Sequence, residues 1–369
     1  MQAVIKYINL FFFFILALGI FILALFPPAI RPSPAENFET KVKDMSNRQV
    51  SITVPAQRVV IFPPVAWDYI TVDEGVDNIL ATSNFIRNEI RQSLIERIYP
   101  ASPGIPAAFT RGMNTAVPGD PEALLLAKPD AVLSWAHFSD PLKQVGLPVV
   151  EVRKFDSEQG MFTLYRVIAA MTGRNGRGER LIQHYLEKRG ENERQVADLK
   201  GKKPTALFLW LTGPNSIYVA NQDTSYSRAL QVAGAENQAS DYQSASIDFE
   251  QLLLLNPDVI FLNSALGTMN GPEYFYNQPP WQVLSAVKNK RVYKQPLGSA
   301  RMTGLADEPL LQLWMAELLY PDLMPRLFRN EFKSVYQEIY HYDLSDDEID
   351  RNIFLNENRR SAGYERFVR

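Results

Sequence analysis

The chain has 369 residues, 38 basic and 41 acidic side chains, a formal net charge of −3, 46% hydrophobic residues and no cysteine. That length accommodates two domains, and the charge balance excludes the basic face that nucleic-acid binding needs. Without cysteine there is no disulfide, no thiolate metal site, no cysteine nucleophile and no lipid-modified cysteine anchor.

Lys6 precedes an apolar run of 17 residues, Leu10 to Phe26, followed by Pro27, Pro28 and the polar stretch RPSPAENFET. A short basic region, an apolar segment and a small-residue exit form the layout of a secretory signal, with Ser33 and Ala35 at the −3 and −1 positions of a cleavage site. The run also reaches the lower edge of bilayer-spanning length, so an uncleaved anchor over residues 8–30 is the alternative. Either way the remainder is exported, and no second stretch in it approaches spanning length.

Residues 1–35 therefore read as signal or anchor and 36–57 as a lead-in with an edge hairpin (VSITVP). Short apolar runs at Val59 to Phe62, Asp130 to Trp135 and Pro148 to Val152 read as strands separated by segments of helical spacing, an N-terminal α/β lobe over 58–155. A linker region over 156–200 contains a long helix at about 177–199, with an apolar stripe at Leu181, Ile182, Tyr185, Leu186, Val196 and Leu199. Such a helix spans about 35 Å and acts as a strut, unlike a Gly/Ser linker. The strand grammar restarts at Thr205 to Trp210, Asp258 to Asn263 and Arg291 to Tyr293, giving a second α/β lobe over 201–345. The fold class expected is α/β: two lobes with parallel-type, Rossmann-like central sheets joined by one long helix. The charged segment 346–369 is expected to be partly ordered at most.

One block occurs twice. DPEALLLAKPDAVLSW begins at Asp120 and DFEQLLLLNPDVIFLN at Asp248, an offset of 128 residues. Aspartate, glutamate, Leu-Leu-Leu and Pro-Asp fall in register, and each copy reads as a capped helix, a turn and a buried strand. A unit repeated at domain-scale spacing implies two similar lobes and a cleft between them.

Together these features resemble the class III, strut-helix periplasmic binding proteins of ABC importers for iron–siderophore, haem and cobalamin complexes. The stretch RVVIFPPVAWDYITVDEGVDNILAT resembles that family's opening strand and helix, and the two blocks resemble its E-x-LLALKPD-LVI motif in each lobe. AMTGRNGRGERLIQHY resembles the approach to the strut. YVANQDTSYSRALQVAGAEN, WQVLSAVKNKRVYKQP, LLQLWMAELLYPD and HYDLSDDEI resemble the later segments in order, so the likeness covers about residues 58–348.

The resemblance implies an exported, monomeric, non-enzymatic protein that captures an iron chelate, most simply an Fe(III)–siderophore, and delivers it to an ABC transporter permease dimer. It also implies that Glu122 and Glu250, one per lobe, dock onto permease arginines. From the residues alone, acids in a first helical turn need no partner, since the helix dipole stabilises them by about 0.3–1 kcal/mol.

Ligands of open α/β sheets sit beyond the carboxyl ends of the strands. Residues following those ends include Trp67, Trp135, His137, Trp210, Tyr218, Arg301 and Met302, with Arg111 in the loop before the first block. Aromatic walls with a few polar groups suit a large flat or chelate-type ligand, and arginine suits carboxylate or catecholate oxygens; for each aromatic alone, core packing is the plainer reading. With three histidines, of which His184 lies in the strut and His341 near the tail, a bare transition-metal site is disfavoured, and no resident cofactor is expected. GRNGRG at residues 173–178 reads as a turn, because it lacks the Lys-Ser/Thr of a phosphate loop. Haem, cobalamin or molybdate as ligand, an exported enzyme on the same scaffold, and an anchored sensor are the competing readings.

Overall fold

The computed structural model describes residues 38–100, 118–199, 201–213, 216–222, 224–243, 245–264 and 271–369. The apolar run of residues 10–26 and Arg111 lie outside these. Residues Glu39 to Arg369 form one compact unit. Among the described residues no helix is long and apolar enough to cross a membrane.

The unit opens with the hairpin β1 (Phe38–Lys43) and β2 (Gln49–Val54). The first α/β segment follows as β3 (Val59–Ile61), α1 (Ala66–Asp73), β4 (Ile79–Thr82), α2 (Asn84–Gln92), α3 (Ile95–Ile98), α4 (Pro121–Leu126), β5 (Ala131–Trp135), α5 (Asp140–Gln144) and β6 (Val149–Val152). Its sheet is wholly parallel, in the order β4-β3-β5-β6. Two long helices come next, α6 (Glu158–Thr172) and α7 (Asn175–Ala197). Helix α7 is the expected strut, 23 residues long.

The second segment runs β7 (Thr205–Gly213), β8 (Ser216–Val219), α8 (Ser225–Val232), β9 (Glu236–Asn237), β10 (Ser246–Ile247), α9 (Phe249–Leu255), β11 (Val259–Leu262), α10 (Pro272–Asn277), α11 (Ser285–Lys288) and β12 (Val292–Lys294). Its core β7-β11-β12 is parallel, but β8 and β10 add antiparallel strands beyond β7. The close spacing of β7 and β8 dictates this, because a parallel return needs a crossover of a dozen or more residues. Helices α12 (Glu308–Leu319), α13 (Phe328–Tyr340) and α14 (Asp346–Asn352) complete the chain.

Strand alternation explains how the sheets bury both faces. Val59 and Ile61 of β3, Ala206 and Phe208 of β7, and Val259 and Phe261 of β11 enter one continuous core shared by both sheets with α6, α7, α12 and α13. Their neighbours turn the other way: Val60 joins Leu124 and Val132 beneath the first sheet, and Leu207 and Ile260 join Leu252 beneath the second. Near-continuous apolar strands are the signature of sheets covered on both sides.

The duplicated block is one device used twice. Asp120 caps α4, its carboxylate accepting from the Glu122 N–H at 2.9 Å. Asp248 caps α9 in a full capping box with Gln251. Lys128 and Asn256, equivalent across the offset, both turn into the left-handed region at φ 48° and 38° before their prolines. The Pro-Asp carboxylates then pin the first strand of their own sheets. Asp130 accepts from the Gln57 and Arg58 N–H groups, and Asp258 from the N–H and hydroxyl of Thr205.

The final segment departs from expectation: it is ordered and integral. A Ser345–Glu348 capping box starts α14, and Tyr364, Arg366 and Phe367 are buried beyond it. Several of its charges bond within the protein, Asp346 and Asp350 with Arg329 and Arg366 with Glu317, which sequence polarity alone does not reveal. Asn358 closes the open edge of β12, accepting from Lys294 N–H at 2.7 Å and donating to the Lys294 carbonyl at 2.9 Å.

Candidate functional site

The carboxyl ends of β3, β5, β6, β7 and β11 face a common cavity of about 1240 Å³. Five of the residues picked from the sequence line it: Trp67, Trp135, His137, Trp210 and Arg301. On one wall the Trp135 indole stacks with Phe155 (centroids 5.9 Å apart, planes at 8°) and with His137 (6.1 Å, 20°). On another, Trp210 lies against Tyr218 at 5.8 Å, the two being cross-strand partners on β7 and β8. Tyr218 therefore stands beside Trp210 on the same face of the sheet and packs against its ring, outside the cavity lining. Tyr226 stacks on Phe208 at 4.0 Å, and its hydroxyl accepts from Asn263 Nδ2 and donates to the Arg301 carbonyl.

Arg301 is more constrained than a free anion contact. Its Nε and Nη2 donate to the carboxylate of Glu89 on α2 at 2.7–3.0 Å, and its guanidinium carbon lies 5.4 Å from the Trp67 ring centre and 5.0 Å from that of Phe85. Burial pushes the Glu89 carboxyl up and Arg301 opposes this. The pair ties the first α/β segment to the loop after β12, alongside the Leu94 N–H to Gly298 carbonyl bond. Met302 is not on the wall. It is fully buried at φ 56° beneath this loop, and a side chain at Gly298 (φ 61°) would meet its sulfur and Asp307.

The floor carries Asp68, which is 2% exposed. Its Oδ1 accepts from the Tyr165 hydroxyl at 2.8 Å, and the Tyr165 hydroxyl oxygen in turn accepts from the Leu305 N–H at 3.0 Å. Burial raises the Asp68 carboxyl to about 7, despite the Tyr165 bond and with the nearby Asp307 adding to the rise.

Several lining residues escaped the sequence reading for identifiable reasons. Arg153, Lys154, Phe155 and Asp156 directly follow β6. The rule that found Trp135 finds them once applied to that strand end. Phe85 follows β4, whose four residues ILAT are too short a run to signal a strand by themselves. Arg153 is steadied by donating to Ser46 Oγ in the β1–β2 turn at 2.8 Å. Among the described residues no group of three His, Asp or Glu side chains converges as a metal site. Glu122 and Glu250 lie away from the cavity lining, exposed in the first turns of α4 and α9.

A family profile described as periplasmic binding protein matches residues 67–296. The chain belongs to that family. No curated protein matches the sequence. Among solved structures, a periplasmic solute binding protein from Veillonella parvula superposes with a TM-score of 0.76 at 23% identity, covering 87% of this chain and 99% of that one. The molybdate-binding MolA of Haemophilus influenzae, bound to molybdate, gives 0.69 at 17% identity, over 83% and 99%. CeuE of Helicobacter pylori, in a Ni–His complex, gives 0.65 at 20% identity, over 85% and 98%. These likenesses establish the fold of a periplasmic binding protein of ABC importers; members of that family bind solutes and are not enzymes.

Proposed function

We propose that this periplasmic binding protein captures an iron chelate, an Fe(III)–siderophore, in the cavity between the two sheets and delivers it to an ABC permease dimer. The observation that carries the reading is the cavity itself. At about 1240 Å³ it exceeds the roughly 300–1,000 Å³ of ordinary small-molecule pockets. Its walls are aromatic, from Trp67, Phe85, Trp135, Phe155 and Trp210, with Arg153, Lys154 and Arg301 among them. That combination matches a large anionic chelate with flat donor groups better than a small oxyanion such as molybdate, which needs a tight shell of hydrogen-bond donors. Metal arrives already wrapped in its chelator, so the protein supplies surface and charge, not first-sphere ligands. The protein acts as a monomer, exported by its N-terminal segment, with Glu122 and Glu250 as docking carboxylates.

Removing the stacked indole tests the site. Trp135→Ala is expected to weaken binding of a ferric catecholate about tenfold or more, since an aromatic stack adds about 0.5–1.5 kcal/mol beyond its buried area. Isothermal titration reads this directly. Unchanged affinity in Trp135→Ala and in Trp210→Ala would place the ligand elsewhere.

A further inference from the structure

The duplicated block contains more identity than its fold requires. Over Asp120 to Asp130 and Asp248 to Asp258 the two copies share aspartate, glutamate, three leucines and Pro-Asp. The capping aspartates, Asp120 and Asp248, start the helices. The terminal Asp130 and Asp258 pin the first strands. Leu124 and Leu252 fill the two separate cores beneath the sheets, at 1% and 0% exposure. What remains is Glu122 with Leu125 and Leu126 in one copy, and Glu250 with Leu253 and Leu254 in the other.

These leftover leucines face water. Leu126 is 83% and Leu254 85% exposed, with Leu125 at 44% and Leu253 at 37%. Each Leu-Leu-Leu run thus divides identically, the first inward and the next two outward, although the surrounding cores differ. Glu122 and Leu126, like Glu250 and Leu254, stand four residues apart and share a helix face. Each helix therefore presents a carboxylate one turn from an outward leucine pair.

We infer that the two leucine pairs are the apolar half of a duplicated docking surface for the permease dimer. Each subunit would offer a cation to the glutamate and an apolar hollow to Leu125–Leu126 or Leu253–Leu254. This rests on the transport reading above. A duplicated surface calls for a duplicated receptor, which a two-subunit permease supplies. A bare anionic membrane is a poor match, because both patches carry a carboxylate. The glutamates steer and orient the encounter; the leucines, once desolvated, slow dissociation.

The test uses the full exported protein and the host's own importer, with both permease subunits, purified from host membranes into nanodiscs and read by biolayer interferometry. Because the outward leucines are exposed, Leu126→Gln with Leu254→Gln is expected to fold normally and to keep ligand affinity. It should raise the dissociation rate about tenfold or more, with little change across salt. Glu122→Ala with Glu250→Ala should instead slow association, and that deficit should shrink as salt rises. Each single leucine variant should lose a similar share. If only the glutamate variant weakens docking, the leucine inference is wrong and the transport reading stands. If neither variant weakens docking, the permease reading itself fails. If the wild type self-associates and the leucine variant does not, the patch is a contact between copies, and the inference is overturned.

Discussion

Arg366→Ala is expected to cost about 3–5 kcal/mol of unfolding free energy, because it strands a buried charge. The Arg366 guanidinium donates to Glu317 Oε2 at 2.9 Å and to the carbonyls of Glu317, Pro321 and Met324 at 2.8–3.0 Å. Both side chains are almost fully enclosed, at 5% and 1% exposure. Glu317 is also the acceptor for the Leu327 and Phe328 N–H groups that begin α13, so its loss of a partner spreads to that helix. Burial already pushes the Glu317 carboxyl up against these bonds, which marks how much desolvation the arginine offsets. Urea denaturation reads the effect as a lower midpoint. Arg359→Ala, at an exposed position of the same segment, should stay within about 0.5 kcal/mol. A chain ending at residue 345 should be at least as unstable as Arg366→Ala, since it also uncovers β12 and removes Tyr364 and Phe367 from the core. An unchanged midpoint in that shortened chain would refute the structural role of the segment.

The second large effect is a pH dependence centred on Asp68. Its carboxyl titrates at about 7 in the folded protein against an ordinary value of 3.8, and burial is the leading cause. Below about pH 4 both states hold the proton and the group costs nothing. Between about 4 and 7 the folded state keeps a proton that the unfolded state has released, so stability falls as pH rises. The full displacement corresponds to at most about 4 kcal/mol, lost by the time pH passes 7. Asp73, raised to about 6 chiefly by burial, slopes the same way between about pH 4 and 6. Glu151 has the opposite sign: Ser139, Ser46, Lys143 and Arg48 outweigh its burial and hold it at about 2, so its contribution is lost only in stronger acid. Asp68→Asn keeps an acceptor for the Tyr165 hydroxyl and removes the charge. It should match the wild type near pH 4, exceed it by a few kcal/mol at pH 8, and flatten the slope between. Parallel slopes for the two proteins would show that Asp68 does not titrate there. Because Asp68 lies on the cavity floor, its ionisation also adds negative charge beneath a bound anion, so affinity for an anionic chelate should decline through the same range.

Much of this was legible in the residues because the signals were periodic or repeated. The strand runs at Val59, Asp130, Thr205 and Asp258 were continuous apolar stretches, as sheets covered on both faces require. The long helix announced itself through the Leu181–Leu186 stripe, and the duplicated block through its register. Strand ends located Trp67, Trp135, His137, Trp210 and Arg301 at the cavity. Where reading failed, the controlling contacts were long-range. Met302 follows a strand end as Arg301 does, yet the left-handed turn after Gly298 sends it into the core. Tyr218 is close in sequence to the site but packs beside Trp210 outside the lining, because the β7–β8 hairpin places it one strand further along the sheet. The order of residues 346–369 depends on Glu317, Lys294 and Lys290, which no local pattern connects to them. The partnership of Arg301 with Glu89, 212 residues away, is equally invisible to spacing.

The cavity is proposed to hold an iron chelate. Native mass spectrometry of protein taken from the periplasm of its own host tests it most directly, with tryptophan quenching against ferric catecholate, ferric hydroxamate, haem, cobalamin and molybdate as the companion titration. The expected result is a bound iron–chelate mass and quenching by a ferric siderophore at submicromolar concentration, weakened in Trp135→Ala. A protein that carries no such mass, and binds no ferric siderophore more tightly than about 10 μM, would contradict it.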